Sequence, residues 1–217
     1  MGMGDISGRR SLLSYARVQR VISAIIRNKR IFFSKNANTA DYLNVGCGAH
    51  PEPGFVNIDW HWMPGVDACA DLRKPYPFPD GRFQGIYCEH CIDGLPKRFF
   101  HPNLREMHRV LKPGGRLRIS FCDSGQYIDS YIAHRDHGKP MLHMKEWKGS
   151  TGLEVLDAVF HHWTHKTLID FDTLSFRLKE AGFQEIQRVS FMQGADPRLL
   201  HDQPARRPES IYVEVLK

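Results

Sequence analysis

Residues 42–59 read YLNVGCGAHPEPGFVNID, and the fold follows from this stretch. Tyr42–Val45 is a short run of buried-strand character, Gly46-Cys47-Gly48 is a turn, and Phe55–Ile58 is a second strand that ends on the carboxylate of Asp59. Glycine at Gly46 and Gly48 lets a backbone turn sharply and approach a ligand with no Cβ in the way. An acid at the end of the next strand is where a Rossmann-like sheet holds ribose hydroxyls, because one carboxylate accepts from both. Eleven residues separate Gly48 from Asp59, whereas the dinucleotide fingerprint places its acid ~20 residues on. The segment Ala49–Gly54 is too short and too rich in proline for a helix. The first crossover is therefore a loop, which argues against a nicotinamide dinucleotide site that relies on a helix N-terminus facing the pyrophosphate.

The 217 residues suit one α/β domain with an appendage, and 41% hydrophobic with 25% charged residues is the composition of a globular chain. No apolar run approaches the ~20 residues that cross a bilayer. MGMGDISGRR lacks a secretory h-region, and Ile6 stands where a myristoylation signal has Ser or Thr. The expectation is a cytoplasmic protein. Five cysteines, an odd count, read as free buried thiols. The net charge of +6 reads as a solvated basic surface, since no Lys/Arg run with interleaved aromatics marks a nucleic-acid site.

On the N-terminal side, Val18, Val21, Ile22 and Ile25 recur at helical spacing opposite Arg17, Arg20 and Arg27. Residues 1–40 thus form an amphipathic basic helix and linker. The helix packs over the sheet or cleft, or it docks on a membrane surface or a partner, since both need this pattern. On the C-terminal side, Val66–Leu72 reads as a third strand. Its Asp71 is either a turn-capping carboxylate or the group that meets a nucleoside base. Phe83–Cys88 is a fourth strand, with Glu89-His90 where it runs out. A helix carrying Leu104, Met107 and Val110 stops at Lys112-Pro113-Gly114-Gly115 and feeds a fifth strand ending at Asp123. Its alternation of Arg116, Arg118 and Ser120 with apolar residues is cleaner than a strand buried on both faces shows, so one face is open or covered by a polar element. Residues 124–165 read as a helical lid rich in histidine. A helix from near Asp172 to Gly182 and two antiparallel strands, Phe183–Phe191 and Ser210–Leu216, complete the 41–217 domain. The 192–209 loop between those strands is long enough to expect a functional role or disorder.

Taken together, LNVGCG, NID, DLRKPYPFPDGRFQGIYCEH and HRVLKPGGRLRIS resemble a class I S-adenosylmethionine-dependent methyltransferase, in particular the small methyltransferase type 11-like group. The resemblance covers roughly residues 41–183. It implies a Rossmann-like seven-stranded, mostly parallel sheet flanked by helices, with the helical lid inserted. By position, Gly46 and Gly48, with Asn44 and Cys47 beside them, would face the methionine and ribose part of S-adenosyl-L-methionine. Asp59 would hold the ribose, Asp71 and Leu72 would border the adenine, and Glu89 and His90 would lie beside the transferable methyl. The sequence departs from the family where Asn44 replaces the acid that opens the glycine motif and His50 replaces its third glycine.

A sulfonium is an activated donor, so the protein mainly aligns the partners. A hydroxyl acceptor also needs a base, for which His90 is the first candidate and His162 and His165, with His161, are the next. Cys88-Glu89-His90-Cys91 is a Cys-x-x-Cys without a second ligand pair, so these read as packing residues and no metal site is expected. The segment after the fourth strand does not match the Asn/Asp-Pro-Pro-aromatic run of base-nitrogen methyltransferases. The lid and Arg198, Arg206 and Arg207 suit a polar small-molecule or glycan hydroxyl acceptor. A small-amine N-methyltransferase and a non-catalytic binding protein of the same fold are the alternatives.

Overall fold

The computed structural model describes residues 7–146, 151–161 and 165–217, with residues 7–16 as backbone alone. His162 and Trp163 therefore lie outside the described residues. The seven strands β1 (Tyr42–Val45), β2 (Phe55–Asp59), β3 (Ala68–Cys69), β4 (Phe83–Glu89), β5 (Leu111–Cys122), β6 (Gln184–Val189) and β7 (Ser210–Leu216) form one sheet in the order β3-β2-β1-β4-β5-β7-β6. The pairs among β1 to β5 are parallel, and β7 runs antiparallel to both β5 and β6. The mostly parallel, seven-stranded expectation is met. The third strand is shorter than Val66–Leu72, because Val66 N turns back to Met63 O at one end and Asp71 O takes Lys74 N in a turn at the other. Only Ala68 and Cys69 are left to pair.

Among the described residues, six α-helices accompany the sheet: α1 (Ser7–Ile26), α2 (Asn36–Thr39), α3 (Lys97–Val110), α4 (Ser124–His137), α5 (Gly152–His161) and α6 (Phe171–Ala181). The last is capped by Asp170, which accepts from Thr173 N, rather than opening at Asp172. It closes on the left-handed Gly182 as its sequence implies. One face of the sheet, with Leu43, Val45, Ile86, Leu117, Ile119 and Val213, packs on Leu104, Met107 and Val110 of α3 and Leu174 and Leu178 of α6 as a continuous apolar core. No helix among the described residues is long and apolar enough to cross a membrane. Helix α1 docks on the turn after β2 through polar groups: Ser23 Oγ accepts from Trp62 N (2.8 Å) and Gln19 Nε2 donates to Trp62 O (3.4 Å). Ile26 packs beside Cys47, Val66 and Cys69, and of the apolar stripe Ile22 is half-buried while Val18, Val21 and Ile25 are each more than half exposed.

The other face of the sheet is polar. It presents Asn44, Asn57, Tyr87, Glu89, Arg118, Ser120, Tyr212 and Glu214, and the segment from Ser190 to Glu209 lies over it. That segment has only two single-turn helices, so its backbone groups need partners from elsewhere. Arg118, fully buried on β5, donates to Gln193 O (2.8 Å) and Ser190 O (3.2 Å) and makes a forked pair with Asp202. Asp202 in turn accepts from Met192 N, Glu214 from Ala195 N, and Glu89 from Gln203 N. The polar alternation on β5 thus has its physical reason. Replacing Arg118 by Met should leave Asp202 buried without a counter-charge and lower unfolding stability by about 3–5 kcal/mol, measured by urea denaturation. A change below about 1 kcal/mol would show that the pair does not hold the segment down.

Candidate active site

A cleft of about 440 Å³ opens at the C-terminal ends of β1 and β4. In the order β3-β2-β1-β4-β5 the chain reverses direction of winding between those two strands, which is where ligands of open α/β sheets bind. Its walls come from three places: the glycine turn with Asn44 and Glu52, the end of β4 with Tyr87, Glu89 and His90, and Gln203 and Arg206 from the covering segment. Of the residues expected from sequence, Asn44, Gly46, Cys47, Gly48, Glu89 and His90 share this cleft. Asp59, Asp71, Leu72 and His165 do not line it.

The glycine turn is held from below. Gly46 N and Cys47 N both donate to Ile58 O, and Gly48 N donates to Asp59 Oδ2 at 3.0 Å. Gly46 has φ +71°, and a Cβ there would come within 2.1 Å of Cys91 Sγ, so both backbone and packing require glycine. Asp59 also accepts from His61 N (2.9 Å). Asp71 caps the turn at Arg73 N and forks with the Arg73 guanidinium at 2.8 and 2.9 Å, which lowers its pKa. The Arg73 guanidinium lies over Trp60, whose ring is also covered by Arg27 at 3.6 Å. The end of α1, Trp60 and Arg73 therefore flank the strand end that carries Asp59.

Asn44 explains itself through its partners. Its amide nitrogen donates to His50 O (3.2 Å) and to Asn57 Oδ1 (3.0 Å), while Asn57 Oδ1 also accepts from Glu52 N (2.7 Å). Both partners are acceptors, so a carboxylate at this buried position could bond to neither. The two asparagines stitch down the loop that replaces the first crossover helix.

At the end of β4, His90 has φ +43°, an uncommon region for a side chain other than glycine and one that clusters at functional sites. The Ser210 hydroxyl donates to Arg206 O (2.7 Å), so it accepts from His90 Nε2 (2.6 Å). The ring is thereby fixed with its lone pair on Nδ1. Burial, helped by nearby Arg206, pushes the His90 pKa down to about 4, and the ring stays neutral at physiological pH. Burial raises the Glu89 carboxyl above the ordinary range, and Asp202 adds to the rise. Burial, with Asp59 beside it, holds the Cys47 thiol up at about 12. Cys91 is raised by its hydrogen bond to Cys88 and by burial, so neither is poised as a nucleophile.

Several positions escaped the sequence reading, Glu52 and Tyr87 in the cleft wall among them. Gln203 reaches the cleft only because the covering segment folds back, and no local pattern marks it. Asp93 lies in the single turn Ile92–Gly94, beside His165 Nε2 at 3.5 Å. The spacing His90-x-x-Asp93 after a strand end was the available signal.

The sheet order and the cleft at its switch point define a class I methyltransferase fold. Residues 38–119 match the family model of the methyltransferase domain. A tRNA (guanine-N(7)-)-methyltransferase of Rubrobacter xylanophilus is 27% identical, the match covering 39% of this chain and 52% of that protein, so the chain spans about half the length of that curated relative. A Thermotoga maritima structure described as a possible histamine N-methyltransferase superposes with TM-score 0.55 at 14% identity over 96% of this chain and 97% of that one. An Archaeoglobus fulgidus S-adenosylmethionine-dependent methyltransferase gives 0.52 at 16% over 94% and 93%. The chain has the fold of class I S-adenosylmethionine-dependent methyltransferases over nearly its whole length, and its likeness in sequence to the methyltransferase domain is carried by residues 38–119.

Restoring the family's usual acid with Asn44→Asp should destabilise this fold by about 3 kcal/mol, because a buried charge would face two acceptors. The loss should grow as pH rises past ~4, where the unfolded chain ionises the new carboxyl freely. Chemical denaturation at several pH values checks this, and an unchanged midpoint would remove the donor role assigned to Asn44.

Proposed function

We propose that this chain methylates a hydroxyl oxygen of a small polar acceptor, with S-adenosyl-L-methionine held along the glycine turn. The observation that carries the reading is the cleft itself. It is small, it is roofed by the covering segment, and its β4 wall combines a neutral imidazole with a carboxyl of raised pKa. Bound cofactor supplies an activated methyl group, so the chain's residues have to position and deprotonate the acceptor. Gly46, Cys47 and Gly48 offer backbone approach, and at Gly48 nothing lies within 4 Å of where a Cβ would stand, which leaves room for a ligand. Asp59 has unused lone pairs beyond those engaged by Gly48 N and His61 N, and these suit ribose hydroxyls. Trp60, Arg73 and Asp71-Leu72 border the base on the same side. Glu89 is placed to receive the acceptor's proton, since a carboxyl of raised pKa is a better base than a solvated one. Arg206, paired with Glu209 at 2.9 Å, brings a guanidinium to the cleft that suits an anionic or hydroxylated acceptor, and Gln203 lines the cleft beside Glu89.

The end of β4 and the residues after it, Cys88-Glu89-His90-Cys91, support a small acceptor over a nucleobase, as they lack the Asn/Asp-Pro-Pro-aromatic run of base-nitrogen methyltransferases. A small-amine acceptor is the second reading, favoured by Glu52 and Glu89 both lining the cleft, where carboxylates would hold an ammonium. A non-catalytic protein of the same fold is the third.

The deciding experiment is incubation with methyl-labelled cofactor and a panel of sugars, phenols and small amines. O-linked label is the expected outcome, N-linked label shifts the assignment to amines, and cofactor binding without any turnover supports the third reading. Asp59→Ala should weaken S-adenosylhomocysteine binding at least ~10-fold by calorimetry, equivalent to ~1.4 kcal/mol. Asp59→Asn, which still accepts from Gly48, should fall between. Equal affinities for all three proteins would end the ribose assignment.

A further inference from the structure

We propose that His90, Asp93 and His165 form a binding site for a first-row divalent cation such as Zn²⁺ in the wall of the cleft. One ligand atom from each of the three residues lies within 4.8 Å of the other two. The separation of His165 Nε2 from Asp93 Oδ2 is 3.5 Å. Ligands held ~2.1 Å from a tetrahedral centre stand about 3.4 Å apart, so this pair is already at coordination spacing.

The hydrogen bonds around the triad prepare both rings as ligands. A carbonyl can only accept, so the contact of His165 Nδ1 with Val159 O at 3.0 Å puts a proton on Nδ1 and turns Nε2 toward Asp93 Oδ2. Ser210, whose own proton goes to Arg206 O, does the same for His90 from the opposite ring nitrogen and leaves the lone pair on Nδ1. Donation of the second ring nitrogen to an oxygen is how metal-ligating histidines are oriented. Asp93 accepts from Gly94 N through Oδ1, whereas its Oδ2 is buried with no hydrogen-bond partner among the described residues, as is His90 Nδ1. Two buried acceptors left without partners, Asp93 Oδ2 and His90 Nδ1, are costly unless a cation or proton comes between them. Two imidazoles and one carboxylate suit zinc, manganese or iron(II), and not magnesium or calcium, which take oxygen ligands.

Three protein ligands leave a coordination position open, and His90 lines the cleft. An acceptor hydroxyl that reaches this position would give up its proton to solvent more readily, because the cation stabilises the oxyanion. This role rests on the hydroxyl reading above. The site itself does not.

The test is titration of the whole chain with ZnCl₂ against a chromophoric zinc indicator, with no cofactor or acceptor present. One equivalent should bind, and Asp93→Asn and His165→Gln should each weaken binding about 100-fold, while Cys91→Ser leaves it unchanged. Circular dichroism and S-adenosylhomocysteine binding confirm that each variant folds, and either of the two ligand variants suffices. Zinc binding that survives both, or that is lost in Cys91→Ser alone, would overturn the proposal and leave a plain His165–Asp93 ion pair. A chain that binds zinc here yet methylates no hydroxyl keeps this site and loses the hydroxyl reading.

Discussion

An irregular segment laid on the face of a sheet brings unpaired backbone groups with it, and burying them unmet would cost more than the contact returns. The whole architecture of this chain follows from how that constraint is met. The β strands supply the missing partners as side chains: Arg118 takes the carbonyls of Ser190 and Gln193, Glu214 takes Ala195 N, Glu89 takes Gln203 N, and Asp202 on the segment itself takes Met192 N. Arg118 is fully buried, and its charge is matched by Asp202 in the same network. A buried ion pair is weak evidence for added stability, but it is strict about geometry. Here it fixes where the covering segment lies, and with it the roof of the cleft.

The same logic operates at the other end of the sheet. With only the short loop 46–54 between β1 and β2, no crossover helix covers this part of the polar face, and Asn44 and Asn57 bind the loop down by donating and accepting at once. The covering segment then takes the space such a helix would fill. Leu199 packs with Tyr42, Phe55 and Tyr87, Tyr42 donates to Asp196, and His201 meets Glu52 at 3.1 Å. The shortened crossover and the long β6–β7 connection are therefore two parts of one structural solution.

This explains which features were legible in the sequence. The strands, the sheet class and the glycine turn follow from local pattern, because their cause is local: apolar runs, turn residues and an acid at a strand end. The alternation of Arg116, Arg118 and Ser120 announced a polar cover without naming it, since the cover comes from residues some 70 to 90 positions later in the chain. Gln203 was invisible for the same reason. Asp93 was missed because it sits in a single turn with no periodicity, although His90 and His165 were both singled out. The stripe on α1 was read from apolar spacing, but the helix docks through Ser23, Gln19 and Ile26 and leaves Val18, Val21 and Ile25 outside, an arrangement that spacing alone could not distinguish.

Roof and floor of the cleft are also joined chemically. His90, in a left-handed backbone conformation at the end of β4, is fixed by Ser210, whose hydroxyl answers to the carbonyl of Arg206 on the covering segment. Glu89, its neighbour, is held by Gln203 N and raised in pKa by burial beneath the same segment. Shifting the segment would thus alter the tautomer of the one group, the acidity of the other and the shape of the space between them. The shape of the cleft and the surroundings of the two groups in its wall are set by a single packed surface, and that surface rests on Arg118.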